Sequence, residues 1–345
     1  MKKEVIVTIN EIAKICGVSP STVSNVINNR TNKVSKEKAD KINKIMKKYN
    51  FEPSLAASML SHKQRHIIAI VMTVSPEDSN FPRYETFFSN LILSIENKIR
   101  DTGYFPMIYT YKDINEIAKL ESKWNLAAVI SIGVDSSNYD NLLKDLNIPV
   151  VFIDGCYQGT NLDKYYNVGI DDKKGGELIT NYILNKNHQK ILYVSDFENL
   201  QNVDLERYNG YKKALVEHNL LPLSHFFLED NNDQFNSSFE KLEQTIKNNE
   251  ITAIFCCSDF IAFTISLHFF KKGYKIPDDI SIAGFDNSYY SHFIEPGFTT
   301  VQQNILEKGY KSIDMAINLI KNKKTEHSII LPIELIDRGS IKEIN

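Results

Sequence analysis

The sequence predicts an all-α helix-turn-helix domain followed by an α/β core of two doubly wound subdomains with parallel sheets. Three observations lead to this prediction. Two short helical patterns are joined by a glycine near the N-terminus, and apolar strands alternate with amphipathic helices from residue 66 onward. The length of 345 residues exceeds what one compact core usually covers.

The first two helical patterns lie within residues 8–28. Their apolar positions share one face each: Ile9, Ile12, Ala13 and Cys16 in the first, and Val23, Val26 and Ile27 in the second. Gly17 suits the left-handed backbone of a tight turn after the first helix. Ser19 is a good N-cap for the second helix, and Pro20 suits its first position. The pattern is that of a helix-turn-helix.

A third helix is predicted over residues 36–49, with Ser35 as its N-cap and five lysines on its outer face. This helix adds to a charge asymmetry. Residues 1–66 hold 13 lysines and arginines against five acidic residues, whereas the whole chain has a net charge of −3. A basic segment on an acidic body indicates an anionic partner for that segment, although a solvated lysine-rich surface explains the charge alone equally well.

Pro53 interrupts the helical pattern, and the short stretch that follows reads as a linker. The apolar strand segments beyond it are 67–73, 106–110, 127–132, 149–153, 190–194, 252–257 and 281–285. The amphipathic helical segments are 84–102, 173–187, 204–218, 235–249, 260–272 and 305–321. Such alternation predicts βαβ units and parallel sheets.

The chain therefore divides into three predicted parts. Residues 1–52 form the helix-turn-helix domain, residues 53–65 a hinge or linker, and residues 66–345 a ligand-binding core. Within the core, the N-subdomain covers about 66–166 and 299–327, and the C-subdomain covers about 167–298 and 328–345.

The second helix presents short polar side chains while it buries its apolar ones. Such side chains can bond phosphates and base edges in the major groove of DNA. A helical hairpin that merely packs is the alternative reading, but the polarity, the position and the local positive charge together favour DNA binding.

Several sequence blocks resemble the lactose repressor (LacI/GalR) family. They are Thr8-Ile9-Asn10-Glu11-Ile12-Ala13, Gly17-Val18-Ser19, Thr22-Val23-Ser24, Val26-Ile27-Asn28, Tyr49-Asn50-Phe51-Glu52-Pro53, Pro149-Val150-Val151-Phe152-Ile153-Asp154, Arg207-Tyr208-Asn209-Gly210-Tyr211, Cys257-Ser258-Asp259, Ile276 to Asn287, Thr299 to Gln303 and Arg338-Gly339-Ser340. The blocks stand in the family's order along the whole chain. The resemblance implies a core like that of periplasmic binding proteins.

The resemblance also implies roles for residues that face DNA. Ser21, Ser24 and Asn25 would read bases, with Pro20 at the edge of the contact. Thr8, Ser19, Thr22 and Asn28 would hold phosphates. In the hinge, Leu60 would insert into the minor groove, where Ala57 lets the backbone approach closely. Many relatives carry Arg where Asn25 stands, and Asn prefers adenine whereas Arg prefers guanine.

The effector site is predicted from sheet topology, because ligands bind at the carboxyl ends of parallel strands. Asp154, Asp259 and Asp286 follow predicted strands and can accept sugar hydroxyls, whereas Arg207 offers a planar donor fork. The family resemblance places Arg207 and Asp286 in this site. It also matches Phe87 and Phe88 to an aromatic pair, with Phe87 as the expected lining residue and packing as the alternative role. A capping role is the alternative for any single aspartate.

The expected function is transcriptional repression of carbohydrate-metabolism genes by a cytoplasmic homodimer on a pseudo-palindromic operator. A small effector, by the resemblance a sugar or sugar phosphate, would control it. Two other classes share parts of this pattern, a periplasmic sugar-binding protein and an α/β enzyme. The N-terminal domain argues against the first. The absence of GxSxG, Walker, GxGxxG and HExxH motifs argues against the second, and no metal, cofactor or membrane span is predicted.

Overall fold

A computed structural model of the chain describes residues 7–27, 30–51, 65–73, 85–134, 139–157, 159, 162–229 and 235–344. The chain divides into two compact units, residues 1–65 and residues 66–345.

The N-terminal unit contains three helices: α1 (Ile9–Cys16), α2 (Pro20–Ile27) and α3 (Lys36–Lys48). Their shared core consists of Ile12, Ala13, Cys16, Val23 and Ile42. The three helices and the inward face of the first two were predicted from the spacing of apolar residues, and the structure has them there.

Local interactions fix both ends of α1. The Thr8 hydroxyl accepts the backbone N–H of Glu11 (3.3 Å), and the Glu11 carboxylate accepts the backbone N–H of Thr8 (2.7 Å), which forms a capping box. Gly17 ends the helix with φ of 68°, and its N–H bonds back into the last turn. The angle between α1 and α2 is therefore set by a residue without a β-carbon.

The first sheet of the core unit is parallel, and six strands of it lie within the described residues. In spatial order they are β11 (Ser328–Leu331), β5 (Tyr166–Ile170), β4 (Val150–Ile153), β3 (Leu126–Ile132), β1 (Ile67–Thr73) and β2 (Phe105–Tyr111). The helices of this subdomain are α4 (Glu85–Arg100), α5 (Asn115–Trp124), α6 (Tyr139–Asp145) and α11 (Ile305–Ile320).

The second sheet is also parallel. Its strands in spatial order are β7 (Phe226–Phe227), β6 (Ile191–Ser195), β8 (Ala253–Cys256) and β9 (Ser281–Ala283). The helices are α7 (Asp172–Asn185), α8 (Asn202–Glu217), α9 (Phe235–Asn248) and α10 (Asp259–Lys271). A separate antiparallel ribbon of β10 (Thr300–Gln303) and β12 (Ile333–Ile336) connects the two subdomains.

The subdomain boundaries differ from the predicted ones at two places. Tyr166–Ile170 pairs with β4, and Ser328–Leu331 pairs with Tyr166–Ile170, so both strands belong to the N-subdomain sheet. The crossovers thus fall four residues beyond the predicted boundaries at 166 and 327. The reason is that each strand runs to its carboxyl end before the chain leaves the sheet, and that end is where a crossover begins.

Helices α7 and α8 pack with their backbones in close approach. A β-carbon on Gly176 would overlap the carbonyl group of Arg207, and one on Gly210 would overlap the carbonyl oxygen of Lys173. Two glycines, one from each helix, allow this approach. Since α8 carries Arg207 and α7 begins at Asp172, the contact fixes where these two side chains meet.

Candidate DNA interface and effector site

The helix-turn-helix presents most of the predicted DNA-contacting side chains on one stretch of chain. Ser19, Pro20 and Ser21 are exposed, and Thr22, Ser24 and Asn25 are half-buried. The Ser19 hydroxyl accepts the N–H of Thr22 (3.3 Å) and lies 2.8 Å from the Ser21 hydroxyl and 2.9 Å from that of Thr22. Ser19 is thus a helix cap whose hydroxyl belongs to a small exposed cluster.

Three of the predicted contacts, Asn28, Ala57 and Leu60, lie outside the described residues, as does the rest of the hinge at 53–60. Thr8 is described and exposed, and it forms the capping box of α1. A phosphate contact at Thr8 would therefore be made by a residue that the helix already holds in place.

The outer face of α3 carries the predicted positive charge. Its exposed lysines are Lys36, Lys38, Lys41, Lys44, Lys47 and Lys48. Lys41 also donates to the carbonyl oxygen of Cys16 (3.0 Å) at the end of α1. A cation there complements the partial negative charge of the helix C-terminus.

In the core unit, Arg207 lies buried at the junction of several elements. Its Nε donates to Asp172 Oδ1 (2.8 Å) at the start of α7, and its Nη1 donates to the carbonyl oxygen of Cys257 (2.7 Å). Its Nη2 lies 3.5 Å from Asp286 Oδ1, and the guanidinium stacks 3.8 Å from the centre of the Phe285 ring. Burial alone would lower the pKa of Arg207, but the carboxylates of Asp172 and Asp286 outweigh it, so Arg207 stays charged.

Asp286 joins Arg207 to the other predicted site residues. Its Oδ1 accepts the side-chain N–H of Gln303 on β10 (2.5 Å), and the Gln303 oxygen accepts from the ammonium of Lys308 on α11. Lys308 in turn contacts both carboxylate oxygens of Asp154, at 2.7 and 2.8 Å. A continuous polar network therefore runs from the C-subdomain, through the connecting ribbon, to the N-subdomain.

The backbone at both aspartates is in an uncommon conformation. Asp154 has φ of 54° and Asp286 has φ of 108°, each directly beyond the end of a strand or its extension. Non-glycine residues rarely adopt positive φ, and such positions cluster where function overrides local preference. Phe87 lies beside the network, with its ring centre 5.5 Å from the Lys308 ammonium.

Asp259 lies at the start of α10, shortly after β8. It is fully buried, its Oδ1 accepts the Thr300 hydroxyl (2.7 Å), and its Oδ2 accepts the Ser288 N–H (2.6 Å). Both oxygens thus hold the segment after β9 and strand β10 in place. Each oxygen already accepts one internal hydrogen bond, and an effector-binding role for Asp259 stays a prediction.

A cavity of about 250 Å³ opens next to Asp154 and Asp172. Its remaining lining residues are Gly155, Cys156, Asn167, Gly169, Ile170, Asp171, Lys173, Glu206 and Ile330. It lies at the carboxyl ends of β4 and β5, beside the crossover into α7. Ligands bind at such ends in doubly wound sheets.

Sequence reasoning missed Lys308, Gln303 and Asp172 as parts of this site. Lys308 could have been noticed, because it shares the buried face of α11 with Gly309, Ser312 and Ala316. A charged side chain on such a face requires a buried partner.

Comparison with known proteins identifies the class of protein to which this architecture belongs. Residues 8–54 match the family model described as "Bacterial regulatory proteins, lacI family", and residues 180–341 match "Periplasmic binding protein-like domain". The two domains together are those of a DNA-binding transcription regulator with an attached ligand-binding core. Residues 8–54 therefore form a DNA-binding domain of the lacI family, joined to a periplasmic-binding-protein-like domain, and both agree with what the sequence blocks predicted.

Individual relatives match along almost the whole chain. The HTH-type transcriptional repressor PurR of Actinobacillus pleuropneumoniae serotype 3 (strain JL03) is 28% identical, with 98% of this chain and 99% of the relative covered. A lac repressor dimer bound to operator and the anti-inducer ONPF superposes with a TM-score of 0.81 at 20% identity, covering 97% of this chain and 99% of that chain. The regulator CelR in complex with cellobiose gives 0.68 at 20% identity, with the same coverage. These structures share the predicted two-part fold.

No helix among the described residues is long and apolar enough to span a membrane.

Proposed function

We propose that the protein is a transcriptional repressor of carbohydrate-metabolism genes whose affinity for its operator is set by a sugar bound between the subdomains. The observation that carries this proposal is the polar network from Arg207 and Asp286 through Gln303 and Lys308 to Asp154. It places hydrogen-bonding groups of both subdomains at the strand ends where ligands bind.

The chemistry of this network suits a polyol. A carboxylate accepts hydrogen bonds from hydroxyl groups, whereas a guanidinium donates hydrogen bonds to hydroxyl oxygens. Two neighbouring hydroxyls of one ligand can therefore bond to Asp286 and to Arg207. The ring of Phe87 offers an apolar surface against which the C–H face of a sugar ring can pack. Effector-binding roles are therefore proposed for Arg207, Asp286, Asp154, Asp259 and Phe87.

On the DNA side, α2 would enter the major groove, with Ser21, Ser24 and Asn25 on base edges and Pro20 beside them. Thr8, Ser19, Thr22 and Asn28 would bond phosphates, and Ala57 and Leu60 would contact the minor groove. Two copies would bind the half-sites of a pseudo-palindromic operator as a homodimer in the cytoplasm. The lac repressor dimer on its operator and CelR with cellobiose support this assignment through their shared fold.

The proposed control is a thermodynamic coupling. If a sugar prefers one arrangement of the subdomains and the operator prefers another, each ligand lowers the affinity for the other by the same factor. If both prefer the same arrangement, the sugar is a corepressor. No chemical turnover is part of the proposal.

A titration of operator DNA tests both halves. An operator selected from random duplexes should bind with a steep inverse dependence on salt, and deleting residues 1–65 should abolish that binding. Binding that survives the deletion contradicts the DNA-reading role of the N-terminal unit. A panel of cellular sugars added to the complex should change its affinity, and an affinity that no member changes contradicts the allosteric role.

A further inference from the structure

The proposed effector site contains a buried lysine, which in a binding site usually indicates an anionic ligand. Lys308 is completely buried on the first turn of α11, and its ammonium lies 5.5 Å from the centre of the Phe87 ring. Whether such a lysine can bind an anion depends on whether its three N–H groups are free.

The N–H groups of Lys308 are already used. An ammonium has three donors, and here it faces Asp154 Oδ1 at 2.7 Å, Asp154 Oδ2 at 2.8 Å and the side-chain oxygen of Gln303. One full negative charge, that of Asp154, compensates the lysine. Lys308 is therefore the counter-ion of Asp154 and not a receptor awaiting a ligand.

Arg207 is also buried, and more than one carboxylate compensates its charge. Each nitrogen of the Arg207 guanidinium faces an acceptor: Nε faces Asp172, Nη1 faces the Cys257 carbonyl, and Nη2 faces Asp286. Burial raises the pKa of both Asp172 and Asp286, and the charge of Arg207 opposes the rise. A single guanidinium thus serves two buried carboxylates.

Acidic residues also outnumber basic ones among the described residues that line the cavity. Asp154, Asp171, Asp172 and Glu206 line it, and the lining has one cation, the exposed Lys173. An anionic group brought here would meet carboxylates without a free cation nearby. Like charges repel when they are brought together, whereas an ammonium would be attracted.

We propose that this site selects its effector by charge, accepting uncharged or amine-bearing polyols and rejecting sugar phosphates and sugar acids. The inference rests on the proposed sugar-effector function, and it narrows the class of ligand. A buried lysine in a binding site would ordinarily indicate an anionic ligand, and for this site we infer the opposite.

Matched sugars test the proposal on the full-length protein. Thermal shift and calorimetry would compare each of glucose, galactose and ribose with its amino sugar, its sugar acid and its terminal phosphate. Neutral or amino members should bind, and their acidic partners should bind at least roughly tenfold more weakly. Equal or tighter binding of an acid or phosphate overturns the charge rule but leaves a sugar effector in place. No binding by any member removes the sugar effector and the charge rule with it.

A pair of substitutions tests the role of Lys308 directly. Asp154→Asn leaves the ammonium without its counter-ion, so the variant should gain roughly tenfold or more affinity for the acidic sugars relative to the neutral ones. Adding Lys308→Met to Asp154→Asn should remove that gain while keeping the protein folded, since both charges leave together.

The surface pair Lys98 and Asp314, 2.9 Å apart on α4 and α11, provides the control. The double variant Lys98→Met with Asp314→Asn should leave the charge preference as in the wild type. If the folded Asp154→Asn variant gains no preference for acidic sugars, Asp154 does not keep Lys308 from binding anions, and the proposal fails.

Discussion

Asn25 lies half-buried in the middle of α2, the helix that we propose enters the major groove. Replacing Asn25 with Arg should change the preferred operator at one position of each half-site from adenine toward guanine, because the two side chains pair best with different bases. Selection from random duplexes would measure the change. Asn32→Arg adds the same charge at an exposed position outside α2 and should alter affinity without altering the consensus. Identical consensus sequences for Asn25→Arg and the wild type would contradict the base-reading role.

Arg207 is the cation that lies nearest to the buried carboxylates of Asp172 and Asp286 among the described residues. Arg207→Met should destabilise the core unit by about 3–5 kcal/mol, because it leaves Asp172 buried without its partner. Denaturant unfolding at neutral pH would measure the loss. On the same helix, the exposed Lys213 forms an ion pair with Glu177 at 2.9 Å, so Lys213→Met should cost much less stability than Arg207→Met. Similar losses for both variants would argue against a special role for Arg207.

For single residues, the sequence predicted that Arg207 and Asp286 share one site. It did not predict which distant residues contact Asp259 and Asp154. All three aspartates follow strands, and the difference arises from distant residues. Asp259 accepts a hydrogen bond from Thr300, 41 positions away, whereas Asp154 pairs with Lys308, 154 positions away. Contacts of this kind depend on the packing of the whole core, and no local pattern reports them.

Among the elements, α7 and α8 offer the clearest prediction. Gly176→Ala should push the two helices apart, because the new methyl group would overlap the carbonyl group of Arg207. We expect a loss of about 1–3 kcal/mol in stability and a weaker effector response, since Arg207 moves with α8. Unfolding curves and sugar titrations would measure the two effects. Gly273→Ala, at φ of 85° with open space around it, should cost about 1 kcal/mol and leave sugar binding unchanged.

Most strands and helices could be predicted because buried parallel strands are continuous apolar runs. The predicted strand 67–73 and the helices near 235–249 and 305–321 agree with the structure to within one residue. The strands Tyr166–Ile170, Ser328–Leu331 and Ile333–Ile336 were not predicted. The last two are short, and most of their residues are partly exposed, so their sequences resemble loops until their partners are known.

For the whole molecule, the division into two compact units predicts two separable unfolding transitions. A bound sugar should raise the transition of residues 66–345, and operator DNA should raise the transition of the N-terminal unit, because each ligand stabilises the unit that binds it. Scanning calorimetry with and without each ligand would test this. A single transition that moves equally with either ligand would mean that the units unfold as one.

The two kinds of lysine in this chain also have a practical consequence for anyone who labels or immobilises the protein. An amine-reactive dye or an activated resin reaches the exposed side chains of α3, whereas Lys308 is completely buried and already engaged. Exposed lysines such as Lys173 also lie in the core, so conjugation through amines would attach at several sites, and attachment on α3 would mask its positive charge. Attachment through a single engineered cysteine in residues 66–345 would leave the lysines of α3 unmodified for binding measurements.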